Sequence, residues 1–260
     1  MNAAQNDLPR IGVMMYTVLD LARRDLEGTL ARIAELGFLG VETYGLLEHF
    51  TPARLRRAID AAGLELTSAH APFPSGSDAT RILDENAELG ATTLVWSLER
   101  EEFESPEAIT AGLVRVNDGA ENAAGYGMRI AYHNHFAEFS QVFDGRQAYD
   151  LLLEQLDPRV VIELDMYWTR MGGADPAAVV AALGDRVEYV HIKDGPAISY
   201  EHDVMVPIGE GSIDWDAALA ANPGLDWHLL ELERLSVPTF EAVEQSYDYL
   251  VGRGLSRGSR

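Results

Sequence analysis

Residues 26–44 of the chain read LEGTLARIAELGFLGVETY and carry the pattern that decides the fold. Apolar residues from Leu26 to Ile33 recur with the period of about 3.6 residues that is typical of an amphipathic helix. Gly37 suits the left-handed conformation that ends many helices. A β-rich run from Gly40 to Tyr44 follows at once. The stretch therefore predicts a helix that leads directly into a strand.

The same order of helix and strand recurs along the chain. Thr51-Pro52, Ser105-Pro106 and Asp175-Pro176 each combine an N-cap residue with a proline at the first helical position. Eight β-rich runs alternate with such helices, and these runs are Ile11–Val18, Gly40–Tyr44, Glu65–His70, Thr92–Ser97, Met128–His133, Val160–Asp165, Val187–Lys193 and Asp226–Glu233. Strands that alternate with helices predict an α/β protein with a parallel sheet.

Two parallel architectures compete, and the first strand decides between them. A doubly wound sheet normally carries a glycine-rich phosphate loop there, whereas this strand runs into Met14-Met15-Tyr16-Thr17. Eight strand–helix units in about 250 residues fit a (β/α)₈ TIM barrel instead. Without a linker or a shift in composition, we predict a single barrel domain over 11–251, a disordered N-terminal tail over 1–10 and a flexible C-terminal tail over 252–260.

The composition excludes several classes of function. The 260 residues contain 42 Asp plus Glu against 20 Lys plus Arg, a net charge of −22, which disfavours binding to nucleic acid or to anionic membranes. Cysteine is absent, so disulfides, thiolate nucleophiles and Cys-ligated zinc are excluded. The sequence shows neither a signal peptide nor a run long enough to span a membrane, and we expect a cytoplasmic protein.

Chemically capable side chains collect where the predicted strands end. The active site of a TIM barrel lies at the carboxyl ends of its strands. The residues at these positions are Glu42, His70, His133, His135, Glu138, Glu163, Asp165, His191, Lys193, Glu231 and Glu233. Histidine and carboxylate ligands from successive strands would suit Mn²⁺, Co²⁺, Mg²⁺ or Zn²⁺. Any one of these residues could instead be structural, and Glu163 could be a core carboxylate satisfied by the backbone.

Lys193 is the only lysine of the chain, and it allows a different chemistry. A lysine at a strand end can form a Schiff base with a carbonyl substrate. The alternative is an anion-binding or ion-paired lysine, with the adjacent Asp194 as the candidate partner. Aromatic residues also fall near the strand ends and could stack on a sugar ring or pack in loops, and they include Tyr16, Tyr44, Trp96 and Trp168. Gly209-Glu210-Gly211-Ser212 is a candidate for a mobile turn that covers the substrate.

These motifs resemble the xylose isomerase-like TIM-barrel superfamily, whose members are often labelled sugar phosphate isomerases/epimerases. The resemblance extends from residue 11 to residue 250 and identifies the superfamily rather than a reaction. Its segments are Ile11-Gly12 through Tyr16-Thr17, Leu36-Gly37-Phe38-Leu39-Gly40-Val41-Glu42, Ser68-Ala69-His70, Tyr132-His133-Asn134-His135 with Glu138-Phe139, Glu163-Leu164-Asp165 with Trp168, Val190-His191-Ile192-Lys193-Asp194 and Gly209-Glu210-Gly211.

The resemblance implies one divalent metal ion (Mn²⁺, Co²⁺, Mg²⁺ or Zn²⁺) at the ends of the last four strands. Its ligands by position are His133, Asp165, His191 and Glu231. Epimerases of the superfamily carry a glutamate at the first of these positions, and two metal-bound glutamates move the proton. His133 departs from that pattern, so the epimerase mechanism does not transfer unchanged. His135 is the alternative ligand on the fifth strand.

The resemblance implies an isomerase or epimerase that acts on a sugar, keto-sugar or polyol derivative through a metal-stabilised ene-diolate. Glu231 is the leading proton-transfer group, and Glu138, Glu163 or Glu233 are candidates to replace the missing glutamate. The predicted substrate-binding residues are Glu42, His70, His135, Trp168 and Lys193.

Other functions remain open at this point. An inosose-type dehydratase (a lyase) would use the same enolate chemistry, and a non-catalytic sugar-binding barrel would explain the histidine at position 133. The superfamily also contains DNA-repair endonucleases, which the charge of −22 disfavours. The expected partner is a small-molecule sugar or polyol substrate, with no nucleic acid and no membrane, and a homodimer or homotetramer remains open as the assembly.

Overall fold

The computed structural model describes residues 8–260 and contains a closed barrel of eight parallel strands. Each strand pairs with its neighbours in sequence, and the last pairs with the first, so the predicted TIM barrel is confirmed. The strands are β1 (Arg10–Met14), β2 (Gly40–Tyr44), β3 (Glu65–His70), β4 (Thr93–Trp96), β5 (Arg129–His133), β6 (Val161–Asp165), β7 (Val187–Ile192) and β8 (Trp227–Leu230).

Helices follow the strands and cover the outside of the barrel. Thr51, Ser105 and Asp175 each accept a backbone N–H at the start of a helix, as predicted. The α-helices are α1 (Leu19–Arg24), α2 (Leu26–Glu35), α3 (Pro52–Ala61), α4 (Ala79–Leu89), α5 (Pro106–Gly125), α6 (Ala137–Ser140), α7 (Ala148–Gln155), α8 (Met166–Met171), α9 (Pro176–Leu183), α10 (Trp215–Ala220) and α11 (Thr239–Gly252). Short 3₁₀ helices span Met15–Val18, Leu46–Glu48, Gly76–Asp78, Arg100–Phe103 and Gly184–Arg186.

The core lies between the barrel and these helices. Helix α2 buries Leu26, Leu30 and Ile33, the residues whose period predicted it. Burial of a leucine or isoleucine side chain stabilises the fold by about 1.5–3 kcal/mol. No helix of residues 8–260 is both long enough and apolar enough to pass through a membrane.

Four predicted strands are too long at their carboxyl ends, by one residue in the fourth and seventh and by three or four residues in the last and the first. The first ends at Met14, where the chain turns into the 3₁₀ helix that brings Tyr16 to the mouth of the barrel. The last ends at Leu230, although the backbone N–H of Glu231 still donates to the carbonyl of Ile192 at 3.1 Å. Beyond that bond the N–H of Leu232 donates to the Thr17 hydroxyl at 2.8 Å, so a hydrogen bond to a side chain replaces the backbone pairing between strands.

A short antiparallel hairpin lies between α6 and α7 and was not predicted. It pairs Val142–Phe143 with Arg146–Gln147. Asp144 and Gly145 both have positive φ, which is the backbone that a two-residue hairpin turn requires. Two-residue strands are too short for alternation of apolar and polar residues to reveal them.

The start of the described residues and the C-terminal segment meet at the amino-terminal end of the barrel. Of the predicted N-terminal tail, residues 1–7 lie outside the described part, and Arg10 already belongs to β1. The segment 252–260, for which we predicted a flexible tail, is hydrogen-bonded to the barrel. The N–H of Ile11 donates to the carbonyl of Arg257 at 3.0 Å, and the Ser256 hydroxyl lies 2.8 Å from Nδ1 of His228. The C-terminal segment thus supplies hydrogen-bond partners for the start of β1 and for the buried His228.

Candidate active site

A cavity of about 260 Å³ opens at the carboxyl ends of the barrel strands. Seven predicted site residues line it, and they are His70, His133, His135, Trp168, Lys193, Glu231 and Glu233; the aromatic candidates Tyr16, Tyr44 and Trp96 line it as well. It is also lined by Met14, Ser97, Glu99 and Tyr200, which the sequence did not single out. Tyr200 belongs to the long segment between β7 and the next helix. That segment has no helix or strand whose end would have pointed to a residue of the site.

Four side chains beside this cavity form a group that could hold a metal ion. One donor atom each from His133, Asp165, His191 and Glu231 lies within 4.8 Å of the others, and all four residues are buried. These are the residues that the resemblance implied as ligands. His135 lines the cavity but does not belong to this group. Two imidazoles and two carboxylates form a mixed nitrogen and oxygen set suited to a divalent cation.

Unpaired atoms in this group support the fit to a cation. Oδ1 of Asp165 accepts the N–H of Trp168 at 2.7 Å, whereas its Oδ2 makes no hydrogen bond to any described residue. The same holds for Oε2 of Glu231 and Nδ1 of His191, which lie only 2.6 Å apart without the geometry of a hydrogen bond. Buried polar atoms normally have partners. Three such atoms directed to one place, two of which lie within 3.0 Å of the ammonium of Lys193, are therefore consistent with a bound cation.

Carboxylates deeper in the barrel hold the other nitrogens of the two histidines. Nδ1 of His133 lies 3.1 Å from Oε2 of Glu163, and Nε2 of His191 lies 2.7 Å from Oε1 of Glu42. The hydroxyl of Ser68 in turn donates to Glu42. Metal-binding histidines commonly bond a carboxylate in this way, which fixes the ring and its tautomer. Glu42 and Glu163 are thus placed to orient ligands.

A second group of donor atoms lies deeper and shares the same two histidines. It consists of His70, His133, Glu163 and His191. Oε2 of Glu163 lies 3.1–3.2 Å from a nitrogen of each of the three imidazoles. Because those contacts already occupy this oxygen, the outer group with Asp165 and Glu231 offers the freer set of ligands.

Lys193 adds a positive charge at the edge of the outer group. Its Nζ lies 3.0 Å from Asp165, 2.8 Å from Glu231 and 3.5 Å from Glu233. The candidate pairing with Asp194 is therefore wrong. Burial would lower the pKa of Lys193, but the three carboxylates raise it above its ordinary value. A Schiff base requires a neutral amine, so this environment disfavours that chemistry.

The surrounding charges set the protonation of the cavity walls. Burial lowers the pKa of His135 to about 4, and the charge of Lys193 acts in the same direction. Burial also lowers the pKa of His133 well below its ordinary value. Both imidazoles are thus neutral at pH 7. Burial would raise the pKa of Glu231, but Lys193 and His191 hold it below its ordinary value, so this carboxylate is ionised.

Two predicted catalytic carboxylates do not line the cavity. Glu163 lies deeper, among the imidazoles. Glu138 is fully buried behind the fifth strand, where it accepts the Tyr132 hydroxyl at 2.9 Å and the N–H of His135 at 3.1 Å. Burial raises the pKa of Glu138 to about 7. Glu138 is therefore placed to hold the chain at His135 rather than to touch a substrate.

The segment after β7 is tied to the barrel by Asp194. This buried carboxylate accepts the N–H of Gly209 at 2.9 Å, the N–H of Ser212 at 3.0 Å and Nε1–H of Trp215 at 2.8 Å. A Cβ at Gly211 would collide with the Asp194 carboxylate, which explains the glycine. The turn at residues 209–212, a candidate for a mobile cover, is hydrogen-bonded to Asp194 and does not line the cavity.

The sequence of the chain is similar to known proteins over most of its length. The family model described as "Xylose isomerase-like TIM barrel" matches residues 30–234. The inosose dehydratase of Geobacillus kaustophilus (strain HTA426) is 27% identical over 217 residues, which cover 73% of this chain and 67% of that protein. The chain therefore spans about two thirds of the length of this relative.

Solved structures share the fold at lower identity. A sugar phosphate isomerase/epimerase from Parabacteroides distasonis superposes with a TM-score of 0.78 at 23% identity, covering 97% of this chain and 96% of that one. An L-ribulose 3-epimerase superposes with a TM-score of 0.68 at 17% identity, covering 95% of each chain. At such identities the likeness supports the fold.

Proposed function

The chain belongs to the xylose isomerase-like TIM-barrel family, and from that premise we propose that it is a divalent-metal-dependent isomerase of a sugar, keto-sugar or polyol derivative. The observation that carries the proposal is the group of His133, Asp165, His191 and Glu231, whose donor atoms lie within 4.8 Å of one another beside a cavity. These four residues would hold the ion. When bound, a divalent cation supplies Lewis-acid polarisation of a substrate carbonyl.

Glu231 is the proposed proton carrier. It lines the cavity, and its ionised carboxylate can take a proton from the carbon next to the carbonyl, which leaves an ene-diolate. Return of the same proton to the former carbonyl carbon on the same face, with the proton of the adjacent hydroxyl moving to the former carbonyl oxygen, completes an isomerisation. Lys193 and His135 line the same cavity and can hold substrate hydroxyls.

The placement of the carboxylates favours isomerisation over epimerisation. Inversion at one carbon needs a second acid/base group on the opposite face of the substrate. Of the three candidates for that role, Glu138 and Glu163 do not line the cavity, and Glu233, which does, follows the same strand as Glu231. Transfer on one face requires only one such group.

Dehydration is the second candidate. His133 replaces the glutamate of the family's epimerases, and a relative of 27% identity is named an inosose dehydratase. In this reaction Glu231 takes the proton next to the carbonyl, and the hydroxyl on the following carbon leaves as water after an acid protonates it. His70, which lines the cavity, is the proposed acid.

The test is a panel of keto-sugars and inososes incubated with metal-loaded protein in D₂O. Isomerisation gives an isomeric product, with deuterium at one carbon wherever the transferred proton exchanges with solvent. Dehydration gives an unsaturated ketone and loss of water. A chelator should abolish either reaction. Absence of conversion and exchange across the panel would contradict the proposal, as would unchanged metal content in the Asp165→Ala variant.

A further inference from the structure

A second cavity of about 480 Å³ adjoins the one described above. Tyr44, His70 and Trp96 line both cavities, so a ligand in one touches the same side chains as a ligand in the other. The second cavity lies over the ends of β2, β3 and β4, whereas the candidate metal ligands come from β5 to β8. The proposed chemistry uses one half of the mouth and leaves the other half without a role.

The sizes of the two cavities indicate a ligand larger than one small sugar. Ligand pockets commonly have volumes of about 300–1,000 Å³. The first cavity, at about 260 Å³, lies below this range by itself. The adjoining space of about 480 Å³ is therefore large enough for a further ring-sized group on the same molecule.

The walls of the second cavity are suited to an uncharged ring. Leu46, Leu47 and Ile82 supply apolar surface. The rings of Tyr44 and Trp96 are nearly parallel, with an interplanar angle of 8°. Aromatic and aliphatic faces of this kind pack against the flat face of an aromatic ring or the C–H face of a sugar.

The charges around both cavities disfavour a phosphate group. Arg81 lies 3.3 Å from Asp78 and 3.0 Å from Glu85, and Arg23 lies 3.5 Å from Asp20. In the first cavity the three carboxylates described above surround Lys193. His70 faces Glu42 and Glu163. Within residues 8–260, every cationic side chain that lines these cavities already has a carboxylate partner.

We propose that the substrate is an uncharged glycoside-like molecule, with its keto ring in the first cavity and a neutral ring-sized substituent in the second. This inference rests on the proposed function for the position of the keto ring. The substituent is a second sugar or an aromatic group, which share the neutral, flat surface that the cavity walls accept. A sugar phosphate would lack an unpaired cation to bind it.

Calorimetric titration of metal-loaded protein tests the inference without turnover. The probes are methyl β-glucoside, phenyl β-glucoside, cellobiose and glucose 6-phosphate. We expect phenyl β-glucoside or cellobiose to bind at least ten-fold more tightly than methyl β-glucoside, and the preference between them identifies the substituent. Glucose 6-phosphate should bind no more tightly than methyl β-glucoside.

A cavity-filling variant locates the effect. Leu47 lines the second cavity and not the first, so Leu47→Trp should reduce the affinity of the larger probes to that of methyl β-glucoside. Leu153→Trp is the matched control, because Leu153 is also half-buried but lies on α7 away from both cavities. Its affinities should equal those of the parent protein.

Two results would overturn the inference: equal affinity for methyl β-glucoside and both larger probes, or tighter binding of glucose 6-phosphate. Either one leaves the proposed function standing if keto-sugars still react in D₂O. Conversely, a ten-fold preference lost only in Leu47→Trp supports the second cavity even if no keto-sugar of the panel reacts.

Discussion

The ammonium of Lys193 lies 2.8 Å from the carboxylate of Glu231, beside the donor atoms that could hold a metal ion. Both residues are buried. Without a cation, the lysine is the charge that compensates Glu231 and Asp165. A bound divalent ion would share these carboxylates with it, so the two positive charges oppose each other.

Replacement of Lys193 should therefore raise the affinity for metal and lower the stability of the metal-free protein. Lys193→Met removes the repulsion, and we expect divalent cations to bind at least ten-fold more tightly by calorimetry. The metal-free variant should melt at a lower temperature than the parent, because two buried carboxylates lose their partner. Weaker metal binding in Lys193→Met would show that the lysine supports the ion instead of opposing it.

Asp165 should be essential for metal binding. Its Oδ2 faces the ammonium of Lys193 at 3.0 Å, and Asp165 belongs to the outer group of donor residues. Protein purified without added metal should contain about one divalent ion per chain by elemental analysis, and Asp165→Ala should contain almost none. Asp185→Ala, at an exposed position before β7, is the control and should keep the parent content.

Glu163 and Glu138 offer a matched comparison of two fully buried carboxylates. Glu163 contacts the imidazole of His133, whereas Glu138 bonds Tyr132 and the backbone of His135. Loss of a carboxylate that orients a ligand lowers metal affinity about 10–100-fold. We expect that loss in Glu163→Gln and little change in Glu138→Gln. Equal metal affinities in the two variants would contradict the proposal that Glu163 orients a ligand.

His228 should make the fold less stable in acid. Burial lowers its pKa to about 3, whereas an unfolded histidine titrates near about 6.5. Below that pH the unfolded chain binds a proton that the folded chain does not, so stability falls as the pH falls. The contribution of one such group is about 1.4 kcal/mol per pH unit.

Removal of the His228 ring should reduce the dependence of the unfolding free energy on pH by about 1.4 kcal/mol per pH unit. Urea unfolding of His228→Gln between pH 6.5 and 5 should show a smaller loss of stability than the parent protein. His49→Gln, at an exposed ring, should follow the parent. Parallel curves for His228→Gln and the parent would show that the ring is not buried as described.

Asp194 should hold the segment that leads from β7 to α10. Asp194→Ala leaves the donors at Gly209 and Trp215 without their acceptor, whereas the N–H of Ser212 keeps the carbonyl of Gly195 at 3.0 Å. A buried donor left unpaired costs about 1–3 kcal/mol, so we expect a loss of about 3 kcal/mol and faster proteolysis of residues 195–214. Asp214→Ala, which removes only the cap of α10, should cost about 1 kcal/mol.

The strand-end residues could be predicted because the signals are local. A strand places residues two apart on one face, and each carboxyl end is marked by a turn toward the next helix. The depth of each carboxylate could not be predicted in this way. The pairing of β6 with β7 shifts register between Ile162 and Glu163, and that of β2 with β3 shifts between Val41 and Glu42.

Contacts across the barrel also leave no mark in the sequence. His191 and Glu42 lie 149 positions apart and meet only because the sheet closes. Sequence patterns report the period of one element, whereas these partners come from elements on opposite sides of the fold.

The pairing of the first strand with the last has a consequence for synthesis on the ribosome. Arg10 in β1 lies opposite Trp227 in β8, so one edge of the sheet stays open until nearly the whole chain has been made. An open edge can pair with another chain, and such distant pairings slow folding. The barrel can therefore close only late in synthesis, when β8 has been made. Chains truncated before β8 should aggregate instead of forming a smaller barrel.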